Sequence, residues 1–205
     1  MKKNKSSKNW INKQKNDQFV KKSKIFGYRS RSAFKLIELN KKFKILKKNT
    51  KLIDLGSSPG GWSQVASKIV TNGQIFSVDK KKMDEINNVK FYKGDFLDEN
   101  CKNLILQNFH GKADVILSDM AADTTGNSSL DCIRTNLLCK EVIIFSKSLL
   151  KAEGILVSKL FMGQDFIEAK NLAKSNFKNV IFFKPISSRS FSKETYLHCK
   201  GLKAL

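Results

Sequence analysis

Acidic residues sit at the ends of apolar runs along this chain. Each run reads as a β-strand, and the residues that close the runs are Asp54-Leu55-Gly56, Asp79, Asp95, Ser118-Asp119 and Lys159. Ligands of open α/β sheets bind beyond the carboxyl ends of the strands. Four acids and one lysine on that rim could hold hydroxyls and amines and could move a proton. Any one of these acids alone would be read as a helix cap or a turn residue. Together they indicate a site.

The first strand leads into Asp54-Leu55-Gly56-Ser57-Ser58-Pro59-Gly60-Gly61-Trp62. Glycines allow a sharp turn and close backbone approach, and the helix that follows offers free N–H groups to an anion. Gly56 and Gly60 are four apart, not spaced two then three as in a dinucleotide fingerprint. A pyrophosphate clamp is therefore disfavoured, and the carboxylate of S-adenosylmethionine is a suitable smaller anion. Asp79 follows Gly60 by 19 residues at the end of the second strand, where an acid can take both ribose hydroxyls of an adenosine. Asp95, within Gly94-Asp95-Phe96, is placed to accept from an adenine amino group.

Charge points to the second partner. Lys and Arg number 39 against 18 Asp and Glu, for a formal net charge of +21. Residues 1–50 hold 17 of the cations and only Asp17 and Glu38 as acids, so this quarter of the chain carries most of the excess. A block of one sign repels itself unless a polyanion binds there. Nucleic acid is the expected partner, with Arg29, Arg31 and Lys35 as candidate contacts.

Other classes find little support. No apolar run approaches the roughly 18 residues of a membrane span, and the lysine-rich start has no apolar core of a secretory signal. Cys101, Cys132, Cys139 and Cys199 lack CxxC spacing, and His110 and His198 are the only histidines, so no metal site is expected. Reduced, buried thiols fit a cytoplasmic enzyme.

The elements that must position these residues follow from periodicity. Residues 1–24 read as a basic flexible arm with room for one short helix, and residues 25–205 as one domain. Ser30 or Ser32 can cap a helix over 31–44. Strands are predicted at 51–55, 74–78, 89–92, 113–117 and 155–160, with helices over 62–70, 98–108, 130–150 and 164–176 among them. The last two strands, 179–183 and 195–199, have no helix between them and should pair antiparallel at the sheet edge. The fold class is α/β: a Rossmann-like, mostly parallel sheet of seven strands with helices on both faces.

Six segments, in order and spacing, carry a family resemblance. They are Tyr28 to Leu36 (YRSRSAFKL), Asp54 to Trp62 (DLGSSPGGW), Gly94-Asp95-Phe96, Ser118-Asp119-Met120-Ala121, Val157 to Phe161 (VSKLF) and Ser187 to Tyr196 (SSRSFSKETY). The sequence resembles the FtsJ/RrmJ ribosomal RNA ribose 2′-O-methyltransferases over about residues 10–200. The resemblance implies an S-adenosylmethionine-dependent fold and a Lys-Asp-Lys-Glu catalytic tetrad. By motif its members are Lys35, Asp119, Lys159 and Glu194, with Lys159 as proton acceptor. The cofactor contacts map to Gly60, Trp62, Asp79, Asp95 and Asp119. The implied substrate is a uridine ribose in large-subunit rRNA, presented on the assembled subunit. We expect a monomer with no membrane partner. After Ala121 the bacterial enzymes of the family carry Pro-Asn, and this chain has Ala122-Asp123.

Two alternatives stay open at this point. One is a tRNA ribose methyltransferase of the same family. The other is a catalytically inactive RNA-binding module, against which four intact tetrad positions speak. An NAD-type oxidoreductase is opposed by the glycine spacing.

Overall fold

The computed structural model describes residues 17–109, 111–163 and 165–203. Most of the expected basic arm, residues 1–16, lies outside them, as does His110. In chain order the elements are α1 (Gln18–Ile25), α2 (Ser32–Phe43), β1 (Lys51–Leu55), α3 (Gly61–Ile69), β2 (Gln74–Asp79), β3 (Lys90–Lys93), α4 (Glu99–Asn108), β4 (Ala113–Ser118), α5 (Ser128–Leu149), β5 (Leu150–Phe161), α6 (Phe166–Asn176), β6 (Phe177–Phe183) and β7 (Glu194–Leu202).

The seven strands form one sheet in the order β3-β2-β1-β4-β5-β7-β6. The pairs β1–β2, β1–β4, β2–β3 and β4–β5 are parallel. β7 runs antiparallel to both β5 and β6, as the missing crossover helix requires. It does not lie at the edge. β6 is the edge strand, and β7 fills the gap between β5 and β6.

Alternation along each strand divides the core in two, because successive side chains point to opposite faces. Leu52, Ile75, Val115, Val157 and Tyr196 pack with Ala33, Leu36, Trp62 and Val65 of α2 and α3. Ile53, Phe76, Ile116, Leu156 and Leu197 pack on the other face with Ile105, Val142, Ile143 and Ala169 of α4, α5 and α6. The four cysteines are free and buried.

Several boundaries differ from the sequence reading for local reasons. α5 begins at Ser128, earlier than expected, because the Asn127 side chain accepts from the N–H groups of Ser129 and Leu130. β5 starts directly at Leu150, and its pairing with β4 shifts register between Ala113 and Val115. α2 is not capped by a serine side chain. Its N-cap is Arg31, and the Ser30 and Ser32 hydroxyls bond each other at 2.7 Å.

The boundary expected after residue 24 falls inside α1. Asp17 caps this helix by accepting from Phe19 N at 3.0 Å and Val20 N at 3.3 Å. The Phe19 ring packs on Phe34 of α2, with centroids 5.5 Å apart.

One buried group makes stability depend on pH. His198 of β7 is 5% exposed and stacks on Phe43, with ring centroids 4.1 Å apart. Neither ring nitrogen has a hydrogen-bond partner among the described residues. Burial pushes its pKa down from the ordinary 6.5 to about 4. Between those values the unfolded chain takes up a proton and the folded chain does not, so stability falls as pH falls through that window. The expected slope from this group is at most about 1.4 kcal/mol per pH unit. Urea unfolding at pH 7 and pH 5 should show that His198→Phe removes this part of the acid sensitivity. An unchanged difference between the two pH values would show that His198 is not its source.

Candidate active site

The site lies where four elements converge at the carboxyl ends of β4 and β5. Lys35 projects from α2, Asp119 follows β4, Lys159 lies near the end of β5, and Glu194 opens β7. Register brings the last two together, because Lys159 pairs with Tyr196 and Phe161 with Glu194. Lys159, Phe161, Glu194 and Tyr196 alternate with core residues that face the opposite side.

The charges are paired at close range. Lys35 Nζ donates to Glu194 Oε2 at 2.7 Å. Lys159 Nζ lies 2.7 Å from Asp119 Oδ1, donates to the Asp119 carbonyl at 2.7 Å and stands 3.9 Å from Glu194 Oε2. The four side chains are only 9–14% exposed. Burial pushes the Asp119 carboxyl up, but Lys159, Lys35 and the hydrogen bonds outweigh it and hold its pKa below the usual carboxylate range. Burial pushes Lys159 down, and the charges of Asp119 and Glu194 outweigh that, so its pKa rises above the ordinary lysine value. Without a ligand, Lys159 is an ammonium.

Sequence reasoning gave two further side chains here no role. The Tyr196 hydroxyl donates to Asp119 Oδ1 at 2.6 Å, and its ring faces Lys35 Nζ at 5.6 Å. The Ser188 hydroxyl donates to Glu194 Oε1 at 2.7 Å. Tyr196 lies two residues after Glu194 on one strand, a period that would have marked it. Ser188 lies in a loop, where no periodicity applies. That loop is anchored by Glu38 of α2, whose carboxylate accepts from Ile186 N at 2.6 Å and Ser187 N at 2.9 Å.

Beside the tetrad lies the glycine turn. Gly60 has φ +108°, and a Cβ there would come within 2.9 Å of Arg29 Nη1 and of Ile86 Cδ1. Asp79 Oδ2 accepts from Ser58 N at 2.9 Å and Oδ1 from Lys81 N at 2.7 Å. Asp95 accepts from Leu97 N at 2.9 Å and pairs with Lys80 at 2.9 Å. Burial raises the Asp95 pKa, but that hydrogen bond and Lys80 bring it below the usual range. Asp95 is 42% exposed at its side chain, within reach of a ligand.

Four expected positions differ in what they offer. The Trp62 indole is turned into the core, where it donates to Ser32 O at 2.9 Å and packs on Tyr196. At the start of α3 it can offer a ligand its backbone, since the first N–H groups of a helix lack intrahelical acceptors. Arg29 donates to backbone carbonyls. Arg31 donates to Asp17 Oδ2 and to Ser187 O, and Arg189 shares Asp17 Oδ2 at 3.2 Å. Asp54 is not on the rim at all. It is fully buried and accepts from the Ser63 hydroxyl at 2.6 Å. Burial pushes its pKa up to about 7.

The site's donors and acceptors match an adenosine bearing an amino-acid tail. Asp79 and Asp95 can accept from hydroxyls and an amine, and the α3 N-terminus can donate to a carboxylate. The four buried charges beside it can orient a hydroxyl and take its proton.

Comparison with known proteins bears on the family and the fold. The profile of the FtsJ-like methyltransferases matches residues 28–202. The chain is 51% identical over 203 residues to the ribosomal RNA large subunit methyltransferase E of Pelagibacter ubique, covering 99% of this chain and 100% of that protein. It is 46% identical to the Rickettsia akari protein of the same name, over 94% of this chain and 87% of that one. Among solved structures, a ribosomal RNA methyltransferase of Plasmodium falciparum superposes with a TM-score of 0.76 at 34% identity, covering 85% of this chain and 98% of that one.

Removing one partner of a buried ion pair strands the other charge, typically at a cost of about 3–5 kcal/mol, whereas removing both costs much less. Glu194→Gln should therefore destabilise the fold by at least about 2 kcal/mol in urea unfolding. Lys35→Met in the same chain should recover part of the loss, giving a coupling energy above about 1 kcal/mol. Additive effects would mean that the pair is not coupled in solution.

Proposed function

This chain belongs to the FtsJ-like methyltransferase family, and from that premise we propose that it methylates the ribose 2′-hydroxyl of a uridine in large-subunit ribosomal RNA, on the assembled subunit. The methyl donor is S-adenosylmethionine. The reading is supported chiefly by the buried Lys159 ammonium, bracketed by Asp119 and Glu194 with Lys35 beside them. Such an arrangement suits a reaction that needs a positioned hydroxyl and a proton acceptor. The names of the relatives support ribosomal RNA as the substrate. We place the reaction in the cytoplasm, carried out by a monomer.

When bound, the cofactor supplies a methyl carbon on a cationic sulfur, an excellent leaving group. Gly60, the N–H of Trp62, Asp79, Asp95 and Asp119 would hold it. Everything else falls to the protein. Lys35 and Glu194 hold and orient the ribose, which fixes the position of its 2′-oxygen. Lys159 accepts the hydroxyl proton, and Asp119, itself held by Tyr196, orients Lys159. The ammonium must first lose a proton to solvent, which the two carboxylates oppose and Lys35 favours. The 2′-hydroxyl requirement selects RNA over DNA.

The basic N-terminal block supplies phosphate affinity. Lys21, Lys22 and Lys24 are exposed on α1. In this reading Arg31 exchanges Asp17 for a phosphate, and the lysines of residues 1–16 add to the positive charge of the block.

Labelled S-adenosylmethionine should be incubated separately with tRNA, naked rRNA and large subunits lacking the modification, and the labelled nucleotide mapped. We expect one labelled uridine ribose, on the subunit. Label on tRNA, or on a base, would overturn the proposal. The role of Lys159 has its own test. Lys159→Arg keeps the charge but cannot release its proton at usable pH. Single-turnover methylation should fall at least about 100-fold, with cofactor binding little changed. The wild-type rate should climb as pH rises, because Asp119 and Glu194 hold Lys159 as an ammonium in the ligand-free site and it must lose that proton before it can accept another. Near-normal turnover by the arginine variant would reduce Lys159 to a steering charge.

A further inference from the structure

We infer that Arg29 is a positioning residue of the cofactor pocket, bracing the glycine turn against the loop between β2 and β3. The inference rests on the functional reading above and adds a residue to it. From sequence, Arg29 was a candidate phosphate contact, yet its guanidinium is directed elsewhere. Nη1 donates to Asp84 O at 2.6 Å and to Pro59 O at 3.4 Å, and Nη2 donates to Glu85 O at 2.7 Å. Pro59 belongs to the glycine turn, whereas Asp84 and Glu85 belong to the β2–β3 loop.

Asp79 ends β2, leads into one of these loops and lies against the other. The two loops are also joined directly, since Ser58 N donates to Asp79 and the Ser58 hydroxyl donates to Lys82 O at 3.3 Å. Arg29 adds a tie from a third segment of chain. That segment is itself fixed to α3, because Arg29 N donates to Gln64 Oε1 at 3.0 Å and Gln64 Nε2 donates to Gly27 O at 2.8 Å. The missing Cβ of Gly60 is what lets the guanidinium and Ile86 close over the turn.

A planar guanidinium can fork to carbonyls of two loops at once, and a lysine ammonium on a flexible stem holds no such geometry. The substitution Arg29→Lys therefore separates bracing from charge. A phosphate contact would lose little by it, and a brace would lose its geometry.

The test measures S-adenosylmethionine affinity by calorimetry, and RNA affinity as a function of salt, for the wild type, Arg29→Ala and Arg29→Lys. The bracing role predicts cofactor binding weaker by about tenfold in the alanine variant and several-fold in the lysine variant, as expected for lost hydrogen bonds to a charged group that is partly exposed. RNA affinity and its salt slope should stay as in the wild type. In turnover, the cofactor KM should rise while kcat at saturation is retained. The lysine variant keeps the charge and the aliphatic stem, so it decides the matter if the alanine variant fails to fold. Cofactor affinity within twofold of wild type in the lysine variant would overturn the inference, and weaker RNA binding by the alanine variant with a salt slope shallower by about 0.7–0.9 would make Arg29 a phosphate contact instead. A wild type that binds RNA but no S-adenosylmethionine would overturn the functional reading and this inference together.

Discussion

Two lysines and two carboxylates share a space from which water is nearly excluded, and none of the four could be there alone. Removing a charge from water costs several kcal/mol even after the protein relaxes. The site is therefore possible only as a set. Lys35 needs Glu194, Lys159 needs Asp119, and the 3.9 Å separation of Lys159 from Glu194 joins the pairs into one cluster. The same mutual dependence sets the protonation states. Asp119 is held ionised and Lys159 is held charged, so in the proposed mechanism the resting protein carries a proton on its acceptor. Substrate and cofactor together must change that balance.

The cluster depends in turn on strand register. Glu194 and Tyr196 reach the site because β7 pairs with β5 so that Phe161 meets Glu194 and Lys159 meets Tyr196. A slip of one residue would turn both side chains toward the opposite face. The loop before β7 guards this register. Glu38 takes two of its backbone N–H groups, Asp17 binds Arg189 within it, and Ser188 reaches forward to Glu194.

Much of this was legible in the residues. Strand ends bearing Asp79, Asp95, Asp119 and Lys159 follow from apolar runs closed by polar residues, a local pattern. The antiparallel pairing of the last two strands follows from the absence of a crossover helix. The Lys35–Glu194 pair required the motif resemblance, since nothing local links positions so distant. What escaped was decided by tertiary partners. Asp54 looks like its neighbours on the rim, but Ser63 and its own burial draw it beneath the turn. Arg29 and Arg31 look like free cations, but carbonyls and Asp17 engage them. Placing β7 between β5 and β6 also lay beyond any local signal.

That insertion has a consequence for the order of events during synthesis. β6 precedes β7 in the chain yet takes the outer position, so it joins the sheet only through β7. Until β7 enters, Lys35 and Lys159 lack Glu194, and the edges of β5 and β6 stay unpaired. Contacts of such long sequence separation form late and slowly, because a large loop must close first. A nascent chain can thus assemble the glycine turn and Asp79 on the first strands well before it has a working site. In the proposed mechanism the site is completed only by Glu194, which opens β7.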